Sequence, residues 1–132
     1  MPTPNILSKV NEFLAERQPT LPTIFQDVFP YTAIDEIMCR EEPSTAVETR
    51  YLDGTRIGGF NFTYYSKADE IPTARDRLYT IIETLDLEES EIDSGISITI
   101  TAITSPNFIQ KTEAGEYIFS AAFKLDYLNR RI

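Results

Sequence analysis

Residues 95–105, GISITITAITS, alternate apolar and hydroxyl side chains almost without interruption. Successive side chains of a strand point to opposite faces, so Ile96, Ile98, Ile100 and Ala102 share one face and Ser97, Thr99 and Thr101 the other. The first face demands a core. The second carries neither charge nor catalytic equipment, and its purpose is the question the rest of the chain has to answer.

Downstream, Pro106 ends the strand, a short run over 108–112 meets the turn TEAGE, and a long final strand follows. In that strand Tyr117, Phe119, Ala121, Phe123, Leu125 and Tyr127 alternate with Glu116, Ile118, Ser120, Ala122, Lys124 and Asp126. Upstream, EESEIDSG is expected to be an acidic loop holding Glu88, Glu89, Glu91 and Asp93. Before it, residues 69–86 carry Ile71, Ala74, Leu78, Ile81, Ile82 and Leu85 at spacings of three and four, the stripe of an amphipathic helix. Ser66 or Asp69 is its expected cap, and Pro72 is tolerated only in its first turn. Residues 57–65 alternate, with Phe60, Phe62 and Tyr64 opposite Asn61, Thr63 and Tyr65. Asp53-Gly54 marks a hairpin turn before them, and Gly58-Gly59 marks a bulge or a close backbone approach. A second strand is expected over 34–42, and an edge strand or a packed extended arm over 23–30, closed by Pro30. The first helix spans 3–17, with Thr3 as cap, Pro4 at its first position, and Ile6, Val10, Phe13 and Leu14 on one face.

Two separate helices among antiparallel hairpins make an α+β fold: a mainly antiparallel sheet with two helices packed on one face. A chain of 132 residues fits one domain. Residues 1–30 supply the N-terminal helix and arm, and residues 31–132 the sheet with its central helix at about 69–86.

Composition removes whole classes of function. With 21 acidic and 12 basic residues the formal charge is −9, the wrong sign for gripping phosphates but suited to a surface past which DNA slides. There is no histidine, which removes Ser-His and Cys-His dyads and nearly all zinc sites. Cys39 is the sole cysteine, so no intrachain disulfide forms, and a structural thiol is expected. No basic start followed by an apolar run and no membrane-length apolar stretch is present. GTRIGG lacks both phosphate-loop patterns and sits between strands. Glu41/Glu42 and Glu88/Glu89 are sequence neighbours and point apart, and residues 88–93 lack the calcium-loop spacing. Without histidine or a matched lysine motif no Ser or Thr is an obvious nucleophile, which leaves Lys9, Lys67, Lys111 and Lys124 as the formal candidates for a lysine base. Arg130-Arg131 suits a solubilising tail or a contact to an acidic neighbour. No catalytic residue, metal or cofactor is expected.

Asn61 and Thr63 resemble the hydroxyls of 97–101, and Ser120 and Ala122 continue the theme. A wet sheet face usually carries more Lys and Glu, and a packed one more Leu and Val. Small neutral polar residues suit a face that meets another protein part of the time.

The aromatic strand and charged helix of GFNFTYYSKADEIPTARDRLYTIIETLD, with ITITAITSPNFIQKTEAGEYIFSAAFKLDYL, resemble the small minor capsid or tail terminator proteins of long-tailed bacteriophages; residues 57–128 carry most of this. The resemblance implies a virion protein made in the host cytoplasm. It implies a ring, a hexamer, that caps the tail tube and docks it to the head connector while DNA passes through unbound. It brings no catalytic residues. A closed ring needs two different complementary surfaces per subunit. Phe25, Val28 and Phe29 of the arm are the candidates for one, added to a neighbour's sheet edge. Asn61, Thr63, Ser97, Thr99 and Thr101 are the candidates for the other. Glu88, Glu89, Glu91 and Asp93 are the candidates for the bore or rim. The alternative is a non-catalytic soluble module that uses its sheet face for a ligand or partner protein; an enzyme is the third.

Overall fold

The computed structural model describes residues 6–26, 36–42, 49–93 and 95–130, with backbone alone at 92 and 93. The elements in chain order are α1 (Ile6–Arg17), β1 (Ile24–Gln26), β2 (Glu36–Glu42), β3 (Thr49–Arg50), β4 (Arg56–Ala68), α2 (Ile71–Leu85), β5 (Glu89–Asp93), β6 (Ile96–Ala102), β7 (Asn107–Lys111) and β8 (Tyr117–Asn129). This is the expected α+β architecture. The strands form one sheet in the order β1-β2-β4-β8-β6-β5, with β3 paired to β4 and β7 to β8. Every pairing is antiparallel except β1 with β2.

The long strands β4 and β8 are the spine, paired from Arg56↔Asn129 to Ala68↔Tyr117. At the level of Ser66 and Phe119 the sheet runs β1-β2-β4-β8-β7. At the level of Arg56 and Asn129 it runs β3-β4-β8-β6-β5. The opening stretch and β7 therefore lie end to end along one edge of β8. The break between them is stitched by Ile103 N–H donating to the Ala122 carbonyl at 2.9 Å.

One face of this sheet is the core. Ile37 and Cys39, Phe62 and Tyr64, Ala121, Phe123 and Leu125, and Ile96, Ile98 and Ile100 form a continuous cluster with Leu7, Val10 and Leu14 of α1 and Leu78, Ile81 and Leu85 of α2. Phe62 stacks on Phe123 with ring centroids 5.5 Å apart, and Tyr64 meets Phe123 edge-on at 5.6 Å, geometries that aromatic quadrupoles favour. Both helices thus pack on the same side. Phe13 is only partly buried at the rim, where the Arg17 guanidinium lies 4.6 Å above its ring.

Several local expectations need correction. The cap of α2 is Glu70, extended and without a side-chain cap bond, in place of Ser66 or Asp69; Pro72 does sit in the first turn. Thr3 and Pro4 lie outside the described residues. The acidic loop is a strand: β5 pairs with β6 from Glu89↔Thr99 to Asp93↔Ile96. Its entry requires Leu87 at φ 62°, a left-handed conformation that a β-carbon makes unfavourable. Leu87 N–H is held there by the Ile100 carbonyl at 2.8 Å.

Asp53-Gly54 makes the expected β3–β4 turn, with Gly54 at φ 93° and Thr55 N–H donating to Asp53 Oδ1 at 2.9 Å. That bond holds the exposed Asp53 carboxyl below its ordinary range. The Gly58-Gly59 pair is a close approach and not a bulge, since β4 and β8 stay in register through it. A β-carbon on Gly59 would sit 2.7 Å from the Leu125 carbonyl oxygen, a backbone atom that cannot step aside. Gly59→Ala is therefore expected to lose about 1–3 kcal/mol of stability in urea unfolding, as overpacked sites do.

Tyr64 is buried at the sheet–helix boundary, and its O–H donates to Asn11 Oδ1 at 2.6 Å. Burial, with the neighbouring Cys39 thiol, raises its pKa well above the phenol value of 10.0. The stabilisation linked to this proton is fully present below the unfolded-state pKa and is lost as the pH climbs above it. Stability should thus fall more steeply in strong alkali for the wild type than for Tyr64→Phe, measured by urea midpoints across that range.

Candidate functional site

The face of the sheet opposite the helices divides into two halves. Toward β1 and β7 it is closed: Glu36, Met38, Thr63, Lys67, Ile118 and Ser120 are all buried. Glu36, at 1% exposure, faces Lys67 Nζ across 2.7 Å, with Glu116 Oε2 at 3.9 Å from the same ammonium. Register explains this cluster, because Glu36, Lys67 and Ile118 are direct cross-strand neighbours.

Toward β5 the same face is open, and register places its residues in rows. Glu91, Ser97, Leu128 and Ile57 form one row, and Glu89, Thr99, Asp126 and Gly59 the next. Thr101, Lys124, Asn61 and Glu42 form the third. Glu89, Glu91, Thr101, Lys124 and Asp126 are exposed, while Asn61, Ser97 and Thr99 are half-buried by their neighbours. Lys124 Nζ lies 4.0 Å from Asp126 Oδ1, and Glu42 Oε1 accepts from the Tyr65 O–H at 3.0 Å.

The structure thus brings two expectations together. The hydroxyls of β6 and the acidic residues of 88–93, assigned to different surfaces from the sequence, share one surface. Glu89 and Glu91 pair with Thr99 and Ser97 across adjacent strands, about 5 Å away. Glu88 stands just before the strand, its carbonyl accepting from Ile100 N–H at 3.0 Å. Thr63, at 7% exposure, is enclosed within the subunit and is no longer offered for contact. Phe25 is at the sheet edge, paired with Met38. Val28, Phe29 and the Asp93 side chain lie outside the described residues. Asp126 and Glu42 join this surface without being among the candidates from the sequence, although the alternation of 117–127 already places Asp126 opposite the core.

The carboxylates and hydroxyls of this half lie on an open sheet surface, apart from the buried Glu36 and Lys67 of the closed half. An interface core is depleted of charge, whereas a wall of carboxylates and hydroxyls keeps its water and repels phosphates within a Debye length of about 8 Å. A separate open cleft of about 430 Å³ lies between α1 and residues 18–26, lined by Asn11, Gln18, Pro22 and Ile24 among others. Among its described lining residues only Glu12 is ionisable.

The family model for bacteriophage tail terminator proteins matches residues 15–129. In three dimensions the chain is similar to a solved structure at TM-score 0.60 and 12% identity, over 91% of this chain and 88% of the other. At that identity the likeness speaks for the fold alone. No curated protein matches the chain by sequence.

Proposed function

The chain belongs to the bacteriophage tail terminator family, a structural component of the virion tail, and from this we propose that it works without catalysis, as a ring of six subunits that caps the tail tube and docks it to the head connector. The open half of the sheet lines the bore. DNA passes along Glu89, Glu91, Asp126 and the hydroxyls between them without being held, because like charges and retained water deny phosphates a site.

The observation that carries this reading is the uncovered acidic and hydroxyl half-sheet on the side away from both helices. A subunit built for a small ligand would offer an enclosed, mostly apolar pocket with a few convergent polar groups; here Glu89, Glu91, Thr101, Lys124 and Asp126 all stand exposed. Reversal of charge at Glu88, Glu89 and Glu91 to lysine tests it. Rings should still assemble, since these side chains lie off the core, while DNA delivery and hence infectivity should fall. Unchanged infectivity in phage carrying all three substitutions would refute the bore assignment.

A further inference from the structure

Four strands have no outer partner among the described residues: β1 and β3 on one side of the sheet, β7 and β5 on the other; β1 and β7 are the pair at one end. They stand at the same level, Ile24 in the row of Ile37, Ser66, Phe119 and Phe108. All five residues of β7 are exposed, including Phe108 at 53% and Ile109 at 46%, and Ile103 just before it is exposed at 52%. Only Lys111, at the end of β7, bears a charge. Natural sheets blunt such edges with bulges, lysine or proline, and β7 has a bulge between Phe108 and Gln110, Pro106 before it and Lys111 at its end; even so, Phe108 and Ile109 stay exposed and offer apolar surface to an occupant.

Strand direction suits a second copy of this chain, bound head to tail. β1 is parallel to β2, β2 is antiparallel to β4, and β4 to β8, so β1 runs with β8. β7 is antiparallel to β8 and therefore to β1. When copies follow one another round a ring, each keeps its orientation relative to the next, and β7 of one copy meets β1 of its neighbour antiparallel. This is the slightly more stable ladder per residue. The other two edges, β3 and β5, both run with β8 and would meet parallel.

We propose that β7 of each subunit pairs antiparallel with β1 of the next, joining the subunits through one continuous sheet. The occupant of each edge is thus a second copy of this chain, bound head to tail. Phe25 and Ile24 on one side and Phe108 and Ile109 on the other supply the apolar contact, and the backbone ladder supplies the register. This rests on the ring reading above and names its joint.

Phe25→Cys and Ile109→Cys, made together, test the joint with a short bis-maleimide; the native Cys39 is fully buried and stays unlabelled. The double variant should give a ladder of covalent multimers, each single variant alone should give none, and a mixture of the two single variants should stop at dimers. Ile109→Asp, at an exposed site, should weaken self-association about tenfold or more, since an unpaired charge would be buried in the joint, with an unchanged melting temperature at a dilution where both proteins are monomers. Rings seen by negative stain without a ladder would overturn the edge pairing and leave the ring intact. Self-linking of a single variant would show a two-fold contact and overturn it as well. No rings and no ladder at any concentration would overturn both.

Discussion

Lys67→Met is expected to destabilise the folded protein by about 3–5 kcal/mol, because it strands a carboxylate where water does not reach. Glu36 is 1% exposed and its carboxylate faces Lys67 Nζ at 2.7 Å; Glu116 approaches the same ammonium at 3.9 Å. The attraction of such a pair roughly offsets the desolvation of its members, so the pair adds little as a unit, while either half alone is costly. The companion substitution decides the matter. In Lys67→Met with Glu36→Leu the stranded charge is gone, and most of the loss should be recovered. Urea unfolding of the two variants beside the wild type measures both effects. Equal losses in the single and double variants would show that Lys67 acts through packing of its stem and not through its charge.

Phe123→Ala carries the other large effect, about 3–5 kcal/mol, as expected for a buried phenylalanine whose cavity cannot collapse. Its ring is fully buried between Phe62, stacked at 5.5 Å, and Tyr64, edge-on at 5.6 Å. It also lies on β8, the strand to which β4, β6 and β7 all pair. Truncation there removes contacts from the centre of the sheet and from the helical layer together. Phe123→Leu should recover part of the loss, since it refills most of the volume without the ring geometry. A domain with total stability of about 5–15 kcal/mol would leave Phe123→Ala marginal at body temperature, and thermal unfolding should show it. A loss under 1 kcal/mol would mean that the site relaxes, and that the aromatic cluster is not the centre of the core.

The alternation of 96–102 and 117–127 and the stripe of 71–85 place three elements and their buried faces because each is long enough for its period to be unmistakable. Asp53-Gly54 places the hairpin for the same kind of reason, a local backbone need met by a local residue. What was not legible depends on contacts between distant segments. β5 was hidden because its entry uses Leu87 in a left-handed conformation, where a glycine would have announced the turn. Glu36 and Lys67 look like surface residues in sequence; only the register between β2 and β4 makes them buried partners. The same dependence governs the candidate functional face. Its hydroxyls were visible in GISITITAITS and its acids in EESEIDSG, but that they form one surface follows from strand pairing alone. The parallel pairing of β1, on which the proposed head-to-tail joint turns, had no signal in composition or spacing.

Tail tubes assembled with the purified protein and imaged end-on by electron microscopy address self-association at the tube end directly. Six subunits in a closed ring on the terminal layer, sheets inward and helices outward, are the expected result. Bare tube ends, or isolated copies scattered along the tube, would contradict it.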